Sequence, residues 1–317
     1  MKNERKDALL LVKEASTDEF SGIGQRVQNL RSLLTSSGFR VEVSSKIDLA
    51  KESRYDLACV VSFASASNIP KIRKRTEFLW FDAMDSWKLT RRTLFPTDPI
   101  RESVKFIRDF RASFHFKDAD LVTYCSKRDL EFDGIELQNV LVLPPYFPPL
   151  IELKDLGRRF VFVGTSKYRP NYEAYKFLEG EAKKGKFKEI PLFVYGEGYE
   201  RIPTAEGIEI KGRSPNEELY GSQDVHLVPI WRGAGIKYKT FSPLALGLHV
   251  ISSVEGANGL VRGPLLHVME RKSDFSKALD DSNIFQGQDK SPQNYLSSNN
   301  TEEIVRQVMA FKRSRSD

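Results

Sequence analysis

Apolar positions in the first half of the chain form short runs that alternate with stretches of helical periodicity. The runs are ALLLV, RVEV, DLACVVSF, EFLWF, LVTYC and VLVLPP. Between the first two runs, Val27, Leu30 and Leu34 recur at helical spacing. They predict a helix near residues 24–36, closed by Gly38. Short apolar runs that alternate with helices predict a parallel β-sheet with helical crossovers.

A second series of the same kind follows a proline-rich segment. VLVLPPYFPPL and the charged IELKDLGRR indicate a linker, and RFVFVG restarts the alternation at Arg159. We therefore predict an α/β protein with two doubly wound domains, residues 1–150 and 151–317, and ligands at the carboxyl ends of the strands. Residues 300–313 have an amphipathic pattern and predict a final helix that could pack on either domain.

Composition and charge narrow the classes of function. Hydrophobic residues make up 40% of the 317 positions and charged residues 29%, as in ordinary globular proteins. The net charge of +6 favours anionic partners, which include nucleic acid, a phosphate-bearing small molecule and an acidic membrane. We expect no nucleic-acid partner, because no recognisable nucleic-acid-binding module is present. Cys59 and Cys125 lie in apolar runs, so we expect buried thiols and no disulfide.

Hydropathy also bears on location. The start MKNERKDALLLVKEA has too short an apolar stretch for a signal peptide. No run approaches the roughly 18 apolar residues that a spanning helix needs. We expect a cytoplasmic protein that contacts at most the inner face of the membrane, peripherally.

Two glycine pairs could bring backbone N–H groups close to a phosphate. They are Gly22 with Gly24, and Gly233 with Gly235. Neither pair extends to a complete dinucleotide-binding fingerprint, so each pair alone is more typical of a turn.

Residues 225–260 carry a more specific pattern. A strand and a glycine-rich turn precede a helix that opens with Lys237 and Lys239, and a second strand and glycine-rich turn follow. A helix N-terminus and two ammonium groups can form an anion pocket. The other interpretation is a solvated basic helix start, and the spacing alone leaves both open.

The same stretch closely resembles the donor-binding signature of the group-1 glycosyltransferases, a large family of retaining enzymes with the GT-B fold. The matching positions are Pro229, Gly233, Gly235, Ile236, Lys237, Lys239, Ala245, Gly247, Val250, Gly256, Gly259 and Leu260. RFVFVGTSKYRPNYEAYKFL is similar to the start of the family's donor domain, with Gly164, Pro170, Asn171 and Ala174 in place. The first half resembles the family more weakly, at residues 22–26, DAMDSW and DADLVTYCS.

The resemblance implies two Rossmann-like domains that face a cleft, an acceptor-side one first and a donor-binding one second, with the last helix crossing back. It implies transfer of a sugar from a nucleoside-diphosphate sugar to a hydroxyl of a glycan or lipid-linked acceptor, in glycan or polysaccharide biosynthesis. No cofactor is expected besides the donor, and no metal ion. The implied donor-binding residues are Gly22, Gly24, Gly164, Lys167, Gly233, Gly235, Ile236, Lys237, Lys239 and Ser242.

One departure from the family pattern concerns Ser242. The family has a glutamate there, which is expected to hold the ribose hydroxyls of the donor. A serine offers one short hydroxyl in place of two carboxylate oxygens. Donor affinity could be weaker, the ribose contact could come from elsewhere, or activity could be lost. A non-catalytic GT-B protein that binds a sugar nucleotide or a partner transferase is therefore the alternative.

Asp82 and Asp85 are the candidate catalytic residues. Both follow the run EFLWF, at the edge where α/β sheets bind ligands, so one of them could orient or deprotonate an acceptor hydroxyl. Capping of the following segment is an equal alternative. The four histidines lack the spacing of metal ligands, and core roles are expected for His226 and His249.

An apolar stripe occurs in the helical stretch before LVTYC. Its residues are Ile100, Val104, Ile107, Phe110 and Phe114, and its basic neighbours are Arg101, Lys105, Arg108 and Arg111. Such a helix can lie on an anionic membrane. More often the stripe packs on the sheet, and we expect packing here.

Overall fold

The computed structural model describes residues 6–12, 21–45, 54–136, 138–145, 152–214, 216–285 and 310. These parts fall into two compact units that divide after residue 146. The predicted final helix lies outside the described residues apart from position 310, and the predicted cleft stays a prediction.

The first unit is a six-stranded parallel sheet in the order β2-β1-β3-β4-β5-β6. Its elements are β1 (Lys6–Leu11), α1 (Gly22–Ser36), β2 (Phe39–Ser44), β3 (Tyr55–Val61), α2 (Ile69–Arg73), β4 (Thr76–Met84), α3 (Trp87–Leu94), α4 (Pro99–Ser113), β5 (Leu121–Tyr124), α5 (Lys127–Asp133) and β6 (Val140–Val142). The central strands are buried on both faces, which explains their continuous apolar runs. The predicted first helix is confirmed as α1.

The second unit is also a six-stranded parallel sheet, in the order β12-β11-β10-β7-β8-β9. Its elements are β7 (Arg159–Val163), α6 (Arg169–Lys183), β8 (Leu192–Tyr195), β9 (Ile208–Gly212), α7 (Asn216–Leu219), β10 (Asp224–Val228), α8 (Tyr238–Ala245), β11 (His249–Ser253), β12 (Leu266–Met269) and α9 (Lys272–Ala278). The α/β class with two parallel sheets is confirmed. The strand order reverses between β7 and β10, and ligands of open parallel sheets bind at the carboxyl end of such a reversal.

A buried ion pair holds the two central strands of the second sheet together. Arg159 and Asp224 are the first residues of β7 and β10 and face each other in the register. The guanidinium donates two hydrogen bonds to the carboxylate, at 2.7 and 2.9 Å. It also donates to the Tyr195 hydroxyl at 2.9 Å and to the Glu218 carbonyl at 2.7 Å. This bidentate contact therefore joins β7 and β10 at their amino-terminal ends, where the strand order reverses.

The expectation that the α4 stripe packs on the sheet is wrong. Ile100 is 82% exposed, Val104 65% and Ile107 53%. The buried side chains of the helix include Glu102 and Asp109 instead. Both carboxylates accept hydrogen bonds from Arg91 on α3, and this pairing turns the acidic face of α4 inward.

The cysteines and the central histidine have the expected core positions. Cys59 and Cys125 are free and buried, and burial raises the pKa of both thiols. His226 is buried, stacks on Tyr220 and has its pKa lowered to about 3, chiefly by burial. These side chains therefore stay uncharged and contribute to packing.

Candidate functional site

Backbones approach each other closely at the carboxyl ends of β7 and β8. The Gly164 N–H donates to the Tyr195 carbonyl at 2.8 Å. A Cβ atom at Gly196 would lie 2.2 Å from the Gly164 carbonyl oxygen, so only glycine fits there. A Cβ atom at Gly164 would lie 2.6 Å from Nζ of Lys239 and from Nδ2 of Asn171. The side chains of Lys239 and Asn171 therefore pack directly against the loop after β7.

Lys239 lies in the first turn of α8, and its side chain extends to the loop after β7. Its Nζ donates a hydrogen bond of 2.6 Å to Oδ1 of Asn171 and lies 5.3 Å from the ring centroid of Phe162. Burial and, secondly, the charge of Lys237 lower the pKa of Lys239 to about 7. An anion beside this amine would favour its protonated form, so the group can take up a proton when an anion binds.

Asn171 holds Lys239 against the loop after β7. It lies in the first turn of α6 and is 6% exposed. Its Nδ2 donates to the Thr165 carbonyl at 3.1 Å while its Oδ1 accepts from Lys239. The sequence matched Asn171 to the family pattern without assigning it to the site. The contact spans 68 positions, so spacing could not reveal it.

The side chain of Lys237 folds back onto the glycine-rich loop after β10. Its Nζ donates to the carbonyls of Ala234 and Gly235, both at 2.9 Å, and lies 3.4 Å from Oε1 of Glu255. The lysine and glutamate side chains are only 11% and 16% exposed. The sequence analysis did not identify Glu255. Its position as an acidic residue within the second glycine-rich turn is the feature that could have indicated it.

The glycines of the loop after β10 allow this compact arrangement. Gly233 has a φ of 140° and Gly235 a φ of 72°, which favour glycine. A Cβ atom at Gly233 would lie 3.5 Å from Cε of Lys237 and 3.6 Å from the Tyr168 hydroxyl. Ile236 is buried, and α8 then begins without a side-chain cap in the described structure. Lys237 is the N-cap residue of this helix and Lys239 lies in its first turn, and a helix start without a side-chain cap suits an anion.

Lys167 lies at the edge of this group of residues. Its Nζ is 3.2 Å from Oε2 of Glu197, and the lysine side chain is 77% exposed. Contacts in the structure therefore bring together Gly164, Gly233, Gly235, Lys237 and Lys239, with Lys167 on the adjoining exposed loop.

Ser242 is directed to the core. It is 3% exposed and hydrogen-bonds to Tyr220, whose pKa burial raises to about 12. Tyr220 packs with a small apolar cluster on the sheet that includes Val161 and Leu248. This position does not support the expected contact of Ser242 with a donor ribose.

The first unit places its candidate acids differently. Asp82 is fully buried and accepts hydrogen bonds of 2.9 and 2.8 Å from Arg26, and one of 2.6 Å from Thr123. A carboxylate enclosed in this way supports the fold, and the geometry does not favour the catalytic role expected of it. Asp85 is half-buried just beyond β4, after Met84 with a φ of 64°, and its catalytic role stays a prediction.

The first glycine pair belongs to a helix and not to an open loop. Gly22 and Gly24 form the first turn of α1, where Ser21 is the N-cap and its hydroxyl accepts from the Gly24 N–H at 2.9 Å. Among the described residues, no atom lies within 4 Å of the position that a Cβ atom at Gly22 would take.

Two general features complete the description of the sites. Among the described residues, no group of three or more His, Cys, Asp and Glu side chains is placed to hold a metal ion. Within the same part of the chain, no helix is long and apolar enough to cross a membrane.

Comparison with known proteins rests on structure, since no protein-family model and no curated protein sequence matches the chain. A mutant of S. aureus TarM, crystallised with fondaparinux, alpha-GlcNAc-glycerol and UDP, matches with a TM-score of 0.56 at 11% identity. The match covers 83% of this chain and 56% of TarM, so this chain spans about half the TarM length. The chain has the GT-B fold.

Two further GT-B structures give similar results. UDP-GlcNAc 2-epimerase of Methanocaldococcus jannaschii, in complex with UDP-GlcNAc and UDP, matches with a TM-score of 0.56 at 9% identity over 96% of this chain and 99% of the epimerase. The pneumococcal O-GlcNAc transferase GtfA, in complex with UDP and GlcNAc, has a TM-score of 0.50 at 11% identity, with 81% of this chain and 56% of GtfA covered. At these identities the likeness shows the GT-B fold alone.

Proposed function

We propose that the protein is a sugar-nucleotide-dependent glycosyltransferase that transfers a sugar from a nucleoside-diphosphate sugar to an acceptor hydroxyl in glycan or polysaccharide biosynthesis. One observation carries the proposal. Lys239, Asn171 and the loop that holds Lys237 lie together at the carboxyl ends of β7 and β10, where the strand order reverses. We propose that Gly164, Gly233 and Gly235 contribute to donor binding, since Gly164 and Gly233 leave the room that the side chains of Lys239, Asn171 and Lys237 occupy.

The proposed chemistry follows from the charges. When the sugar–phosphate bond breaks, negative charge develops on the leaving diphosphate, and preorganised cations lower the energy of that transition state. Lys239 would gain a full positive charge as the diphosphate binds, since its pKa lies near 7 in the free protein. Lys237 and the N–H groups at the start of α8 would share the remaining charge. Because these groups supply the charge, we propose that no divalent cation and no cofactor is required.

On the acceptor side we propose Asp85, which is half-buried just beyond β4, as the group that orients the hydroxyl. The acceptor is proposed to be a glycan or a lipid-linked glycan. The protein is proposed to be cytoplasmic, with peripheral contact to the inner membrane face, and to have no nucleic-acid partner.

A first experiment measures donor binding. UDP is present in the complexes of S. aureus TarM and pneumococcal GtfA, so UDP and UDP-GlcNAc are the first ligands to test by thermal shift. A ligand that binds the native state increases the free energy of unfolding, by about 2.7 kcal/mol when its concentration is a hundred times Kd. The midpoint temperature of unfolding rises accordingly. A variant with Lys237→Ala and Lys239→Ala should lose the shift, whereas Lys183→Ala, a lysine exposed on α6, should keep it.

A second experiment separates the possible activities. A transferase releases UDP from UDP-GlcNAc faster when a glycan or lipid-linked acceptor is added, and mass spectrometry detects the glycosylated acceptor. A 2-epimerase is the second candidate, because the matched epimerase is covered over 99% of its length. It would convert UDP-GlcNAc to its C2 epimer without an acceptor. Binding without any turnover, across a panel of UDP-sugars and acceptors, would support the non-catalytic alternative and refute the enzyme.

A further inference from the structure

The exposed side of α4 forms a continuous apolar surface, which we name the α4 face. Its residues are Ile100, Val104, Ile107 and Phe110 of the helix, and Phe114 directly after it. They are exposed by 82, 65, 53, 47 and 58% respectively. Positions separated by three or four residues lie on one side of a helix, and the α4 face extends for about 20 Å. A contiguous apolar surface of this kind marks a site of interaction, unlike singly exposed apolar residues.

Ion pairs on the opposite side of α4 keep the face exposed. Glu102 and Asp109 are 4% and 0% exposed and both contact Arg91 of α3. Lys105 and Arg108 add further contacts to the same two carboxylates. Rotation of α4 that buried the apolar face would leave the two carboxylates without these partners, and unpaired buried charges are strongly unfavourable.

Aromatic packing gives the α4 face a fixed shape. Phe106 stacks on Phe110 at 6.4 Å between ring centroids, and Phe110 meets Phe114 edge to face at 5.0 Å. Phe106 also contacts Trp87 of α3 at 5.2 Å. The rings are therefore held in place before any partner binds, which lowers the entropy cost of docking.

The charges on the accessible part of α4 have one sign. Both acidic residues within the helix point inward, whereas Arg101 and Arg111 are exposed. Arg108 is also 40% exposed. Helical spacing places Arg101 and Arg108 along one side of the apolar residues and Arg111 among them, near the end of α4. The surface thus combines apolar side chains with cations, and its complement is an apolar layer covered by anions.

We propose that the α4 face docks on an anionic lipid bilayer, with the helix in the plane of the headgroups. The apolar side chains would enter the boundary with the acyl chains, and the arginines would contact the lipid phosphates. A second copy of the same face would bring like charges together, and a nucleic acid would leave the aliphatic residues unmatched. The proposal identifies the surface that makes the proposed membrane contact, and it is independent of the donor chemistry.

The experiment measures binding of the full-length protein to vesicles by sedimentation. Vesicles of phosphatidylcholine with about one-third phosphatidylglycerol are compared with vesicles of phosphatidylcholine alone, at low and high salt. We expect binding to the anionic vesicles only. A variant with Ile107→Ser and Phe110→Ser should bind roughly thirty-fold more weakly, since each side chain loses part of its transfer into the apolar layer. Arg101→Gln with Arg111→Gln should weaken binding roughly five-fold per charge.

A matched control tests whether any loss of exposed apolar surface has the same effect. Val261 of the second unit is 45% exposed, and Val261→Ser should bind vesicles like the parent. Equal midpoints of thermal unfolding would establish that all variants fold.

The proposal is overturned if the serine variant binds anionic vesicles as tightly as the parent, because the net charge alone would then explain binding. It is also overturned if the parent binds no vesicle. In that case light scattering would show whether the α4 face joins two copies, as a parent dimer that the serine variant dissociates.

Discussion

The lowered pKa of Lys239 gives the proposed donor site a pH dependence that can be measured. Replacement of Lys239 by Met keeps an unbranched side chain of similar length on Phe162 and removes the amine that donates to Asn171. With a pKa of about 7, half of the Lys239 amines are neutral at pH 7 in the free protein. If the diphosphate binds the charged amine, binding takes up a proton and weakens as the pH rises.

The expected magnitude follows from the fraction of charged amine. About nine-tenths of the amine is charged one pH unit below the pKa, and about one-tenth is charged one unit above it. The affinity for UDP-GlcNAc should therefore fall roughly ten-fold from about pH 6 to about pH 8. A charge-assisted hydrogen bond contributes about 1.5–3 kcal/mol, so Lys239→Met should weaken binding roughly ten-fold to a hundred-fold at the acidic end. The variant should also lose the pH dependence.

Calorimetry with UDP-GlcNAc is the suitable assay, because the diphosphate of a nucleotide sugar has no group that titrates in this range. Titrations in buffers of different ionisation enthalpy would count the proton taken up. Lys183→Ala should retain both the affinity and the pH dependence of the parent. If Lys239→Met binds UDP-GlcNAc as tightly as the parent, with the same slope against pH, the amine does not contact the diphosphate and the reasoning fails.

Four further outcomes are expected. Gly164→Ala should fold but weaken UDP-GlcNAc binding by at least roughly ten-fold, because its Cβ would displace the Lys239 amine, and unchanged calorimetry would contradict this. Asp82→Asn should cost about 3–5 kcal/mol in urea unfolding because it breaks the buried pair with Arg26. Asp85→Asn, at a half-buried position, should cost less stability than Asp82→Asn but lower turnover at least roughly a hundred-fold, and the reverse pattern would exchange the two roles. Transfer should persist in EDTA, and its loss would refute metal independence.

The strand–helix alternation was sufficient to predict two parallel α/β sheets, because strands buried on both faces have continuous apolar runs. The same principle could not orient α4. Its periodicity locates a stripe but does not say which side of the helix faces the sheet. That choice depends on Arg91, which binds Glu102 and Asp109 from another helix. Specific ion pairs outweighed the general preference for burying apolar residues.

The arrangement of the candidate donor site could be predicted in part from the sequence. The glycines and lysines of residues 233–239 are local in sequence, so their pattern could be recognised. The contact of Lys239 with Asn171 and the hydrogen bond of Ser242 with Tyr220 connect distant segments. The sequence could not show how Asp82 is oriented, because a residue near the end of a strand can point to solvent or to the interior, and the contact with Arg26 connects distant segments.

The ion pair between Arg159 and Asp224 fastens the second sheet at one end only. The strands β7 and β10 are joined where they begin, while the loops that follow them carry the glycines and lysines at the other end. Exchange of those loops should therefore leave the pairing of β7 with β10 intact. This division makes the second unit a scaffold in which donor preference could be redesigned by loop replacement, without rebuilding the sheet beneath.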